Sequence, residues 1–316
     1  MQKIDAHVHI DYNHFDEKTL LSYIHRNHIE KIWLLTWEES TPSIPRIYDS
    51  LSITRVCEFY QKYPDLVVPF YAPDPSREGL EDLFKKYVKR GIKGCGELKV
   101  SFLWKDDIID KYLRIVQKFH LPLLFHMEMP RLQYIPSNFN TFTKFLEKIL
   151  NGALNGVVRH YLLQLADFVP PMKKHIKNHQ VYFPGYLYDF AGLEQRLNQY
   201  PEISFIGHGP HFWNNISVEI DEKFVHQRGK ISSFGIIDRL LTKYDNLYCD
   251  ISGRSGYNAL GRDKKMVKIF LEKHYRKILF GSDNTGYDLE GLLESFNLEK
   301  KVLKHIFYEN AMMLIG

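Results

Sequence analysis

The chain has 316 residues, 44% of them apolar and 25% charged, with 42 Lys and Arg against 38 Asp and Glu for a net charge of +4. These values belong to a packed globular protein and exclude disorder as the main state; the even charge balance argues against a nucleic-acid or membrane-surface partner. No run of about 18 apolar residues is present to cross a bilayer, and Met1-Gln2-Lys3-Ile4-Asp5 leads into a strand-like pattern where a secretory signal would need a longer apolar stretch.

Eight short apolar segments read as strands: Lys3–Ile10, Lys31–Trp37, Leu66–Ala72, Ile92–Val100, Leu121–Met127, Ile203–Gly207, Leu247–Ile251 and Lys277–Ser282. Amphipathic stretches separate them, among them Ile47–Tyr63, Gly79–Arg90, Asp106–Phe119, Asn258–Tyr275 and Glu299–Leu314. In Asp106–Phe119 the apolar residues Ile108, Ile109, Tyr112, Leu113, Ile115 and Val116 recur at helical spacing. Strand and helix alternating eight times predict an α/β fold, a (β/α)8 barrel in one domain over residues 1–316. An open doubly wound sheet is the alternative, weakened because no G-x-G-x-x-G follows an early strand. Residues 128–202, roughly 75 of them, exceed what a one-helix crossover needs. They read as an insertion on the barrel top, a lid or a solvated decoration, with helices at Phe139–Leu150, Val169–His179 and Ala191–Tyr200.

Alternation along the strands assigns each side chain a face. In the first strand Ile4, Ala6, Val8 and Ile10 are assigned to the helices, and Asp5, His7 and His9 to the inside. In the fourth, Ile92, Gly94, Gly96, Leu98 and Val100 are assigned outward; Lys93, Cys95, Glu97 and Lys99 inward. The same reading turns His126, Glu128, His208 and Asp283 inward at the ends of the fifth, sixth and eighth strands. His7, His9, Glu97, His126, His208 and Asp283 thus collect at the strand ends, where catalytic groups of such barrels lie. Burying them together is costly unless a cation satisfies them. Residues i and i+2 of H-x-H point the same way, about 6.5–7 Å apart along the strand, so both imidazoles can converge on one ion. Nitrogen and oxygen ligands without thiolate favour zinc, with iron(II), manganese and nickel as alternatives.

Asp5-Ala6-His7-Val8-His9, Leu124-Phe125-His126, Phe205-Ile206-Gly207-His208-Gly209 and Leu279-Phe280-Gly281-Ser282-Asp283 together resemble the amidohydrolase superfamily. The likeness is greatest to its amidohydrolase-related branch of metal-dependent hydrolases, which also contains aromatic-acid and semialdehyde decarboxylases. Tyr308-Glu309-Asn310-Ala311-Met312-Met313-Leu314 looks like that branch's last helix, so the resemblance spans nearly the whole chain. It implies a distorted (β/α)8 barrel holding one or two divalent ions, with His7, His9, His126 and Asp283 as ligands. His208 would bind a second ion or polarise the substrate. Many two-metal members bridge with a carbamylated lysine on the fourth strand; here Glu97 or Lys99 could fill that role. Asp283 is expected to act as general base as well as ligand.

Around these residues, Arg254 is a candidate grip for a substrate carboxylate, and Trp213, Glu128 and Trp37 are candidate pocket walls. Asp250 also faces inward and is a minor candidate ligand. His14, His25 and His28 read as surface residues. His160, His175 and His179 lie in the insertion, where a second metal site is not expected. Cys57, Cys95 and Cys249 form no C-x-x-C pair and suit a reducing cytoplasm. Three functions are compatible with these readings: a hydrolase of an amide, ester or lactone; a non-oxidative decarboxylase of an aromatic or unsaturated acid; and a non-catalytic binding protein, which the intact metal set disfavours. The expected partner is a small-molecule substrate, with no nucleic acid and no membrane, and a homo-oligomer is compatible with the sequence.

Overall fold

The computed structural model describes residues 1–38, 50–135, 140–150, 156–221 and 224–316. Parallel strands β1 (Ile4–Val8), β2 (Lys31–Leu34) and β3 (Val67–Pro69) form one sheet. Strands β4 (Cys95–Leu98) and β5 (Leu123–His126) belong to a second. A separate antiparallel ribbon, β6 (Arg131–Tyr134) with β7 (Gln180–Phe183), comes next in the chain. Strands β8 (Phe205–His208), β9 (Leu247–Asp250) and β10 (Ile278–Leu279) complete the second sheet in the order β10-β9-β8-β5-β4.

Backbone hydrogen bonds join the two sheets at both seams. Lys93 N donates to Pro69 O and Tyr71 N to Gly94 O on one side; Ala6 N donates to Phe280 O and Asp283 N to His7 O on the other. The eight parallel strands are those of a (β/α)8 barrel; seven lie within the segments read from the sequence, and the remaining one, Phe205–His208, runs one residue past Ile203–Gly207.

The intervening helices bury one stripe each. In Asp107–Lys118, Ile109, Tyr112, Leu113 and Val116 are buried, acids occupy the first turn and Lys118 the last, as the helix dipole favours. Each such apolar side chain contributes about 1.5–3 kcal/mol by leaving water. Two expectations are corrected here. The single helix over Asn258–Tyr275 is two, Gly253–Leu260 and Lys264–His274, because Asp263 caps the second by accepting from Lys265 N and Met266 N. The insertion, read with helices alone, contributes the strand β7, which pairs with β6. The insertion also holds helices Thr141–Leu150, Gly156–Asp167, Pro170–Asn178 and Phe190–Gln199. Ile47 and Phe139, where two helices were expected to start, lie outside the described residues, as does the side chain of His160.

A larger correction concerns strand faces. Between Asp5 and Val8, β1 spends three steps against two in β2, and between Cys95 and Leu98, β4 does the same against β5. Each is a one-residue irregularity that reverses the alternation midway. Ile4 and Ala6 therefore face the barrel interior with Trp33, Phe70, Leu124 and Leu279. Asp5 points outward to the Tyr23 hydroxyl of the first helix, Glu17–Arg26. Gly94 and Gly96 face inward: a Cβ on either would meet Phe70. Cys95 faces outward, its sulfur 3.1 Å from Tyr112 Oη, and Lys93 is exposed before the strand starts. Past the irregularities His7, His9, Glu97 and Lys99 face the mouth. The opposite end of the interior is filled by Ala311, Met312, Leu314 and Ile315 of the last helix, Asn310–Ile315.

Candidate active site

Four polar atoms from three strands converge at the mouth. His7 Nε2 and His9 Nε2 are 3.1 Å apart. Glu97 Oε2 lies 3.7 and 3.6 Å from them, and Asp283 Oδ1 3.7 Å from each. His7, His9 and Glu97 are essentially inaccessible, whereas the Asp283 side chain is 26% exposed and forms the solvent side.

The tautomers of both histidines follow from their neighbours. His9 Nδ1 is 2.9 Å from the Leu35 carbonyl, which can only accept. His7 Nδ1 is 2.5 Å from Asp250 Oδ2, on a carboxylate held well below its ordinary pKa because His7 and His208 outweigh the cost of burial. Each Nδ1 therefore donates, and in the neutral rings each Nε2 presents a lone pair to the other and to two carboxylate oxygens. Burial opposes charge on His7, but Asp250 and Asp283 raise its pKa well above normal. Burial and the neighbouring His7 push His9 well below. Glu97 Oε2 is buried and makes no hydrogen bond, its cationic neighbour being the Lys99 ammonium 3.2 Å away. Ligands ~2.1 Å from one ion at tetrahedral angles stand ~3.4 Å apart, so this nitrogen–oxygen set matches a divalent cation in spacing and in chemistry.

Glu97 extends the cluster. Its Oε1 is 2.7 Å from His126 Nδ1, and His126 Nε2 is 3.1 Å from Glu128 Oε2. Burial resists charge on Glu97, yet Lys99 and His126 hold it ionised well below the carboxylate range. His126 thus reaches the four-atom centre through Glu97. His208 packs on His7, ring centroids 4.5 Å apart, and places Nε2 3.9 Å from Asp283 Oδ2. Glu97, His126 and His208 form a further group able to hold an ion, as do His7, His208 and Asp250. Burial raises the Asp283 pKa, although His7 and His208 oppose this.

Supporting residues fix these positions. Asp250 Oδ2 also lies 3.2 Å from His208 Nδ1 and accepts from Ser252 Oγ at 2.8 Å, so this aspartate orients two rings rather than pointing at the centre. Asn284 accepts from His9 N and donates to His9 O, closing the β1–β10 seam beside the site. Neither role was read from the sequence; for Asn284 the available signal was a polar doublet, Asp283-Asn284, at a strand end. Gly253 has φ +67, and a Cβ there would stand 2.6 Å from Asp283 Oδ2.

The candidate pocket residues divide. Trp37 stacks edge-on against His9 at 4.7 Å. Glu128 and Arg131, which form an ion pair, line a cavity of about 360 Å³ with His211, Phe224 and Gln227. Arg254 is exposed in the first turn of Gly253–Leu260, where its charge, after burial, lowers the His226 pKa. Trp213 is not a pocket wall. It is fully buried on Phe212 and Phe270 and donates to Asp250 O, because the short helix Pro210–Asn214 turns it behind the strands. His14, His25 and His28 are exposed. His175 and His179 are satisfied locally, by Tyr134 Oη and by the His175 carbonyl.

No family model and no curated protein sequence matches the chain. Solved structures do. A probable 2-pyrone-4,6-dicarboxylic acid hydrolase from Acinetobacter baumannii, with citric acid bound, covers 100% of both chains at 14% identity and a TM-score of 0.53. The 2,6-dihydroxybenzoate decarboxylase from Rhizobium covers 100% of this chain and 99% of its own at 17% identity and a TM-score of 0.53. A 5-carboxyvanillate decarboxylase from Novosphingobium aromaticivorans, complexed with manganese and a nitrobenzoic acid, covers 94% of this chain and 79% of its own at 12% identity and a TM-score of 0.50. The likeness is one of fold, the (β/α)8 barrel.

Proposed function

We propose that the chain is a divalent-metal-dependent hydrolase of the amidohydrolase superfamily, cleaving an amide, ester or lactone bond in a small molecule that carries a carboxylate. The observation that carries this reading is the convergence at the barrel mouth of His7 Nε2 and His9 Nε2, 3.1 Å apart, with Glu97 Oε2 and Asp283 Oδ1 each 3.6–3.7 Å from both nitrogens. A divalent ion held by these residues supplies Lewis acidity toward a substrate oxygen and activates water; zinc is the first choice. Asp283, with its second oxygen toward solvent and His208, takes the proton from attacking water and returns it to the leaving group. His208, backed by Asp250, orients the substrate carbonyl. Glu97 would help hold the ion with His7 and His9, and Glu97, His126 and His208 are the residues that would hold a second one. Arg131 and Arg254 supply guanidinium donors for a substrate carboxylate.

A second reading is non-oxidative decarboxylation, favoured by the two decarboxylases among the fold's relatives. The three buried, unpaired cysteines suit a cytoplasmic setting. Among the described residues no helix is long and apolar enough to cross a membrane.

Elemental analysis of the purified protein, followed by a panel of lactones, amides and aromatic acids, tests the proposal. Wild type is expected to carry metal, and His7→Ala and His9→Ala to lose it with the fold kept. A new acid group identifies hydrolysis; released carbon dioxide identifies the lyase. Full metal occupancy in both histidine variants would remove the assignment.

A further inference from the structure

The loop between β1 and the first helix is shaped around one side chain. Asp11, Asn13 and His14 take left-handed backbone conformations, with φ of 60°, 49° and 65°. None of the three is glycine, and such conformations persist where the surroundings over-determine them, often beside a ligand site. Here the loop is pinned from both ends. Asp11 N donates to Phe15 O at 2.8 Å, Phe15 N to Tyr12 O at 2.9 Å, and Asn284 Nδ2 to the same Tyr12 carbonyl at 3.2 Å. Asn284 also accepts from His9 N, so His9 and Tyr12 share one anchor. The result lays the Tyr12 ring against the mouth. It packs edge-on against His9 at 5.6 Å and against Trp37 at 5.2 Å between centroids. The charged groups that act on its hydroxyl are those of the mouth: Lys99, Asp283, Glu97 and Glu128. The side chain is half-buried, and its hydroxyl makes no hydrogen bond among the described residues.

We propose that Tyr12 is a substrate-binding residue, whose hydroxyl donates a hydrogen bond to an anionic oxygen, carboxylate or oxyanion, of a ligand seated at the divalent centre. The inference rests on the metal-dependent reading above. An anionic ligand at the mouth meets the carboxylates of Asp283 and Glu97, which can only accept, and so needs a donor besides the ion. A donor this close to a divalent ion does best uncharged. A further cation is repelled by the ion across a poorly polarisable interior. A phenol, neutral below about pH 10, adds a donor and no charge. Such a bond to an ionised oxygen is charge-assisted and shorter and stronger than one between neutral groups.

Two other roles make different predictions. If Tyr12 serves only to pack, a phenylalanine ring covers His9 and Trp37 as well, and Tyr12→Phe changes nothing measurable. If the hydroxyl steadies the centre itself, its loss weakens metal binding. Ligand affinity that falls while metal affinity stays separates the binding role from both.

The test measures Zn²⁺ affinity by chelator competition in wild type and Tyr12→Phe, and then benzoate binding to each zinc-loaded protein by calorimetry. Zinc affinity is expected to stay within about threefold of wild type, because neither a ligand nor a group orienting one is removed. Benzoate should bind the zinc-loaded variant at least about tenfold more weakly, the loss that follows removal of a hydrogen bond to a charged group. Should Tyr12→Phe disturb the loop and fail to fold, Tyr12→Leu, which also lacks the hydroxyl, carries the same comparison. Equal benzoate affinities, or no benzoate binding to zinc-loaded wild type, overturn this inference alone. A zinc affinity that falls as far as the benzoate affinity assigns the hydroxyl to the centre and overturns it too. A wild type that binds no metal overturns the metal-dependent reading itself, and this inference with it.

Discussion

Asp250→Asn is the sharpest single perturbation of the site, because it changes one atom and one charge without touching the four-atom centre. In wild type Asp250 Oδ2 accepts from His7 Nδ1 at 2.5 Å, while Oδ1 accepts from Ser252 N at 2.8 Å. Asparagine offers only one oxygen. If that oxygen stays with Ser252 N, the amide NH2 faces His7 Nδ1, and the ring must move its proton to Nε2. That proton then points at His9 Nε2 and occupies the lone pair meant for a cation. If the oxygen goes to His7 instead, the NH2 meets a backbone N–H, and the turn into Gly253–Leu260 is strained. Either way His208, 3.2 Å from the same carboxylate, loses its negative partner. Loss of a ring-orienting carboxylate typically weakens metal binding about 10–100-fold, equivalent to about 1.4–2.8 kcal/mol. Chelator competition measures the affinity, and near-ultraviolet circular dichroism checks that the fold is retained. A folded Asp250→Asn protein with wild-type metal affinity would refute the view that this aspartate sets the His7 tautomer.

Asp283→Asn keeps an oxygen ligand but weakens the base; it should retain some metal and lose at least about a hundredfold in turnover, and near-normal turnover with metal bound would leave Asp283 a ligand at most. Burial lowers the pKa of His211 and of His226 to about 4, below the ordinary 6.5. The unfolded chain therefore binds more protons between these values, so their contribution to stability is present above pH 6.5 and is lost as pH falls toward 4. Denaturant titrations should show a smaller loss over that window in His211→Leu than in wild type; equal losses would contradict the assignment. Arg196, 4% exposed, donates to Trp104 O, Lys105 O and Asp106 O and pairs with Asp110. Arg196→Met strands those carbonyls and should cost about 3 kcal/mol of unfolding free energy, read by urea melts, with metal content unchanged.

The barrel was legible because its strands are apolar runs separated by helix-period segments; each of the eight overlaps the stretch assigned to it, with Phe205–His208 alone running one residue past its own. His7, His9, Glu97 and Asp283 were legible because the strand-end half of each alternation holds. The same reasoning misplaced Ile4, Ala6, Cys95 and Gly96, since a bulge reverses parity and leaves no local mark in composition. Trp213 failed for a different reason. Its position after His208 suggested the mouth, but the direction of a short loop helix depends on packing against Phe270, far away in sequence. The Asp250–His7 and Asn284–His9 contacts are likewise long-range and become visible only when the last strands close on the first.

That closure has a consequence for how the chain matures. The β1–β10 seam and the interior contacts of Ile4 and Ala6 with Ala311 require the first strand to wait for the last helix. At a synthesis rate of about 5–20 residues per second, the interior face of the N-terminal strands spends roughly 15–60 s without its partners. Full burial of His7 and His9 accordingly waits until the last helix has been made. The unclosed half-barrel, with Trp33, Leu35 and Phe70 uncovered, is the nascent form with most to gain from a chaperone.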